Sequence, residues 1–222
     1  MTPVGDRFYE LRQLLRAYEA TGHAFDDTLE VPGGALSAYL RIAAHLPERA
    51  AEAVREIDDL LAVGLFSDEI AEDVDLLPHI DPPRGVGVED CLRVVRQHLE
   101  LFLAAPPAPR PTIRPKTSWE WRARFPAVAH LLGAYFYQGS LEVEYQSHAE
   151  AMDDFLSAEL REDLEKTASE IGELLSLNAG EEDLSDATSA LGLREPPPDA
   201  VALRQWLTDI QGLILYRLRT QP

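Results

Sequence analysis

Phe8 to Tyr18 reads FYELRQLLRAY, and 117 residues later Phe125 to Tyr135 reads FPAVAHLLGAY. In the first stretch Leu11, Leu14, Leu15 and Tyr18 stand at i, i+3, i+4 and i+7. That spacing is the apolar stripe of an amphipathic helix. EIDDLL at Glu56 to Leu61 returns as EIGELL at Glu170 to Leu175, and IDPP ending at Pro83 returns as REPP ending at Pro197, both 114 residues on. The last helices pair at 111, through Leu92/Leu203, Val95/Trp206, Leu99/Ile210 and Phe102/Leu213. Ordered matches with shared punctuation predict a diverged tandem duplication.

Helical spacing dominates outside these phrases too. Leu203, Trp206, Leu207, Ile210, Leu213 and Ile214 form one stripe. Leu160, Leu164, Ala168, Ile171, Leu174 and Leu175 form another, which should stop near Asn178–Gly180, where the helix formers run out. Alternation of period two is scarce, and SLEVEY at Ser140 to Tyr145 is its best candidate. The expected fold is all-α, two tandem acidic bundles of four to five helices each. Residues 1–105 make the first and residues 119–222 the second. Residues 106–118 join them as a basic linker whose prolines (Pro106, Pro107, Pro109, Pro111, Pro115) favour extended backbone.

Charge follows the same division. The 222 residues carry 20 Lys and Arg against 39 Asp and Glu, a net charge of −19. Residues 1–105 hold −11, residues 106–124 hold +4 and residues 125–222 hold −12. So acidic a chain disfavours nucleic acid, whose affinity comes largely from Lys and Arg on phosphates, and favours a basic partner, or simply solubility. No apolar run reaches the ~18 residues of a membrane span, and the N-terminus lacks a signal-peptide core, so a cytoplasmic location is expected. The single cysteine, Cys91, excludes an internal disulfide framework, and it falls on an apolar helix face with Leu92, Val95 and Leu99 as a buried thiol.

No phosphate-binding glycine loop, HExxH, CxxC or GxSxG occurs, so neither enzymatic activity nor a cofactor is expected. Glu144 and His148 stand four apart, but no second His–carboxylate pair completes a metal shell. Glu181, Glu182 and Asp183 suit the positive end of a following helix. Aromatic residues gather in the second half. Tyr135 lies on the core stripe, and continued helical phase would carry Tyr137 about 200° around, to the opposite side. A tyrosine exposed beside Glu142 and Glu144 has the composition of an interface hot spot for a basic partner. Read without a partner, Tyr137 and Tyr145 would cover the bundle edge with their hydroxyls in water.

The second half resembles the immunity proteins of contact-dependent growth inhibition systems. The matching positions are Phe125, Pro126, Leu131, Leu132, Gly133, Ala134, Tyr135, Phe136, Glu144, Tyr145, Ala151, Phe155, Leu156, Trp206 and Leu207. Where the family continues with His-Gln-Asp-Trp, this chain has Tyr137, Gln138, Gly139 and Ser140. The resemblance extends more weakly to the first half through Leu14, Leu15, Ala17 and Tyr18. It implies a non-catalytic cytoplasmic protein that covers the active site of a toxin domain, basic and commonly a nuclease. Tyr137, Gln138, Glu142, Glu144, Tyr145, Asp153 and Asp154 are the expected binding surface. An acidic helical adaptor without a toxin partner is the alternative.

Overall fold

A computed structural model describes residues 8–64, 80–105 and 114–220. Among the described residues the chain is all-α, with no strand beyond an isolated bridge between Ala24 and Asp81. It divides into two compact units, Met1–Ile113 and Arg114–Pro222.

The first unit contains α1 (Tyr9–Ala20), α2 (Gly34–Ala43), α3 (Pro47–Val63) and α4 (Val88–Ala104). The stripe of α1 is buried as its spacing requires, Leu11, Leu14, Leu15 and Tyr18 all facing inward. It packs on α2 and α3, while α4 packs on α2 and α3. Glu56 of α3 is buried, and its Oε2 accepts from the Leu11 N–H at 2.7 Å, satisfying a first-turn donor that α1 cannot pair internally. Gly22 ends α1 in the left-handed region at φ 89°, and His23 N–H closes back on the Tyr18 carbonyl at 2.8 Å. The following loop is tied to the IDPP segment: Asp81 N–H donates to the His23 carbonyl and Phe25 N–H to the Asp81 carbonyl. Cys91 is buried on α4, and burial pushes its thiol up, away from thiolate chemistry.

The second unit contains α5 (Ser118–Arg124), α6 (Pro126–Tyr135), α7 (Ser140–Val143), α8 (His148–Ala158), α9 (Arg161–Leu177), α10 (Glu181–Leu191) and α11 (Leu203–Thr220). Thr117 and Glu120 form a reciprocal capping box at the start of α5. Pro126 opens α6, where its missing N–H costs nothing. As expected from sequence, α9 stops before Asn178, and Glu181, Glu182 and Asp183 occupy the first turn of α10. α6 packs on α8, α9 and α10, and α11 packs on α8, α9 and α10. Phe125, Leu131, Leu132, Phe136, Phe155, Ile171, Leu174, Trp206, Leu207 and Ile210 form the core.

Residues 106–113 of the expected linker lie outside the described residues. Arg114 already packs within the second unit: its guanidinium pairs with the Asp183 carboxylate, donates to the Asp183 carbonyl at 2.8 Å and lies 5.8 Å over the Trp121 ring.

Two expectations are corrected. SLEVEY is not a strand; its first four residues are the helical turn α7, launched by Gly139 at φ 83°. Four residues are too few to fix a period, and the ladder partners a strand would need are absent among the described residues. The pairing of the last helices also shifts by one turn. Leu213, the expected counterpart of Phe102, is 49% exposed, whereas Ile214 is buried. Burial instead aligns Cys91, Leu92, Val95 and Leu99 with Trp206, Leu207, Ile210 and Ile214, 115 residues on.

Candidate functional site

The residues expected to meet a partner lie on the connection between α6 and α8 and on the outer face of α8. α6 ends at Tyr135, and the chain then turns rather than continuing as helix. Tyr137 is therefore half-buried in the turn, not projected from the far side of α6; the helix ended before its phase could carry the side chain around. Gln138, Glu142, Glu144, Asp153 and Asp154 are exposed, and Tyr145 is buried, with 9% of its surface left in solvent.

Backbone bonds hold this connection to the segment preceding α11. The Phe136 carbonyl accepts from Arg194 N–H and Glu195 N–H at 3.0 and 3.1 Å. Gly139 N–H donates to Glu195 Oε1 at 2.5 Å. His148 Nε2 is 2.8 Å from the Pro196 carbonyl, and its ring stacks on Phe136 and meets Trp206 edge-on. Ser147 caps α8 by accepting from Glu150 N–H, and Glu150 reaches back to accept from Gln146 N–H at 2.7 Å. Glu144 and His148 thus point to different partners and do not converge as ligands. Among the described residues no group of three or more His, Cys, Asp or Glu is placed to hold a metal.

Two tyrosines brace two of the carboxylates. Tyr137 donates to Glu144 Oε2 at 2.9 Å, and Tyr145 donates to Asp154 Oδ2 at 3.0 Å. The Tyr145 ring stacks on Tyr135, which in turn meets Phe155 edge-on at 5.2 Å. The bond to Glu144 raises the Tyr137 hydroxyl above its ordinary range, and burial followed by the bond to Asp154 does the same for Tyr145. Both hydroxyls therefore stay protonated as donors. Each hydroxyl holds a carboxylate, a bond that the edge-cover reading did not include.

The surroundings have one sign. From Phe125 to Leu160 the chain has no Lys or Arg, and it carries Glu142, Glu144, Glu150, Asp153, Asp154 and Glu159. Glu159 is set apart from the exposed group, half-buried with its Oε1 2.9 Å from His130 Nε2. Val143 stands at the centre, 84% exposed between Glu142 and Glu144. Sequence reasoning missed Val143 and Glu150, and it missed Glu195 and His148 as anchors of the face. One signal was legible for Val143: SLEV at Ser140 to Val143 repeats TLEV at Thr28 to Val31. No described helix is long and apolar enough to cross a membrane.

These elements form a helical unit whose apolar core carries an acidic, tyrosine-braced connection on its surface. Residues 124–214 match the family model of the CdiI immunity protein. The match runs from the end of α5 into α11, covers less than half of the chain and contains the α6–α8 connection and α8. No curated protein and no solved structure matches the chain.

Proposed function

We propose that the second unit neutralises a toxin domain by binding it through the α6–α8 connection and α8, and that the toxin surface so covered is the basic active site of a nuclease. The observation that carries this reading is the exposed acidic stretch free of Lys and Arg, with Glu144 and Asp154 fixed by Tyr137 and Tyr145. A nuclease holds phosphates with cationic side chains, so a rigid array of carboxylates competes for the same groups. Bracing matters because a carboxylate already fixed in place loses less side-chain entropy on binding. Glu142, Val143 and Gln138 supply the exposed rim and an apolar contact. Asp153 extends the acidic surface along α8.

The test is binding and protection with the toxin domain encoded beside this chain. Charge reversal at Glu142 and Glu144 together should weaken the complex by about 100-fold or more and abolish protection on co-expression, with helicity and melting temperature unchanged. An unchanged dissociation constant would move the interface elsewhere. No complex at low salt and no protection would leave the acidic-adaptor reading.

A further inference from the structure

The first unit repeats the second in packing, in a buried polar device and in the placement of its exposed loop. α1, α2, α3 and α4 contact one another in the pairs α1–α2, α1–α3, α2–α4 and α3–α4. α6, α8, α9 and α11 repeat those pairs as α6–α8, α6–α9, α8–α11 and α9–α11. α2 also packs on α3, which has no comparable α8–α9 contact in the second unit. Burial runs in parallel along each helix. Ala35, Leu36 and Tyr39 of α2 correspond to Ala151, Met152 and Phe155 of α8, and Ile57 and Leu60 of α3 to Ile171 and Leu174 of α9.

The polar device is more specific than any apolar match. Glu56 accepts from the Leu11 N–H at 2.7 Å. Glu170 accepts from the Val128 N–H at 3.0 Å and the Ala127 N–H at 2.9 Å. Leu11 and Val128 occupy the same place in FYELRQLLRAY and FPAVAHLLGAY, and Glu56 and Glu170 the same place in EIDDLL and EIGELL. A buried glutamate capping a helix from another helix is costly to keep unless its donors stay in place. Finding it twice, with both ends at matching positions, is not expected of two unrelated helical bundles. The segment before the last helix repeats as well: Asp81 of IDPP ties down the loop after α1, and Glu195 of REPP ties down the turn after α6.

In the corresponding connection, between α1 and α2, the first unit presents TLEV, as a bend where SLEV forms the helical turn α7. Leu29, Glu30 and Val31 are exposed, Val31 at 62%, as Glu142 and Val143 of SLEV are in the second unit. Thr28 fixes this loop: its Oγ1 accepts from Val31 N–H at 3.0 Å, and its carbonyl lies 2.6 Å from His98 Nε2 of α4.

We infer that the first unit is a second copy of the immunity module, and that Leu29–Glu30–Val31 is its own docking loop for a second toxin domain with a basic surface. The repeated fold stands on the first unit's own contacts; the docking role rests on the reading proposed for the second unit. One chain therefore neutralises two toxin domains.

Stoichiometry decides it. The full chain is titrated with the toxin domain encoded beside it, and the complex is weighed by native mass spectrometry and by sedimentation. The wild type should bind two toxin domains. E30K/V31D should bind one, E142K/E144K should bind one, and the fourfold variant none, with melting temperatures unchanged because all four positions are on the surface. A wild type that binds one toxin domain, lost in E142K/E144K and untouched in E30K/V31D, overturns the second docking loop and leaves the proposed function standing. A single toxin domain lost only in E30K/V31D, or lost in both variants, overturns the separate face assigned to each unit. No binding at all overturns the proposed function, and the docking role with it.

Discussion

Glu170 is buried in the second unit, yet its carboxylate caps α6 through two backbone N–H groups. Burial outweighs those donors and nearby Lys166, and lifts its pKa from 4.5 to about 7. The folded state therefore holds a proton that the unfolded state releases. The stability contributed by this group is complete below about pH 4.5 and is lost as pH rises through about 7, roughly 3 kcal/mol across the window. Glu170→Gln keeps an oxygen that accepts both bonds and has no charge to desolvate. Urea unfolding at pH 5 and pH 8 should show the variant close to wild type at the lower pH and more stable at the higher. A wild-type-like pH dependence in the variant would mean that Glu170 does not titrate in this range. Glu56 is raised in the same direction by the same cause, burial, against the N–H groups of Leu11 and Glu10.

At the scale of the element, the junction of α6 with α10 turns on two glycines. Gly192 lies in the left-handed region at φ 115°, and the Leu193 N–H closes on the Thr188 carbonyl at 3.0 Å to end α10. A Cβ at Gly192 would sit 3.0 Å from the Gly133 Cα, so the close approach involves backbone that cannot swing away. Gly192→Ala should cost about 1–3 kcal/mol from the backbone conformation alone. A thermal melt that is unchanged would show that the junction relaxes freely. Trp206 of α11 is buried, with its ring edge-on to Phe136 at 5.0 Å and to His148 at 5.7 Å. Trp206→Ala should cost about 3–5 kcal/mol and loosen the connection that carries the acidic face. Protection from hydrogen exchange at residues 136–148 should fall with it.

For the molecule as a whole, charge sets how it meets a partner. At −19 the chain attracts cationic surfaces from a distance, and under the proposed function that field speeds encounter with the toxin domain, an effect that salt screens. The Debye length shrinks from about 10 Å at 0.1 M to about 3 Å at 1 M. The association rate with the toxin domain should therefore fall steeply across that range while dissociation changes little. An association rate indifferent to salt would assign the acidity to solubility alone.

Much of this was legible at the level of elements. The stripes of α1, α9 and α11 and the stop before Asn178 follow from spacing and composition, which act within a few residues. α7 was not legible, because SLEVEY alternates by composition while Gly139 turns the chain into a helical turn. In the candidate face, Glu142 and Glu144 could be picked out by charge. The bracing of Glu144 by Tyr137 and of Asp154 by Tyr145 could not, since each bond closes across a turn of the α6–α8 connection whose path the local sequence does not set.

The sequence by itself determined that the chain is helical, that motifs of its two halves echo one another and that both halves are acidic. Those properties reside in local periodicity, order of motifs and summed charge. Only the tertiary structure decided which acids face outward and which, like Glu56 and Glu170, are drawn inside. The donors that hold those two lie 42 to 45 residues away along the chain, and nothing in the local sequence of α3 or α9 announces them. A carboxylate's fate depends on what the fold brings to it.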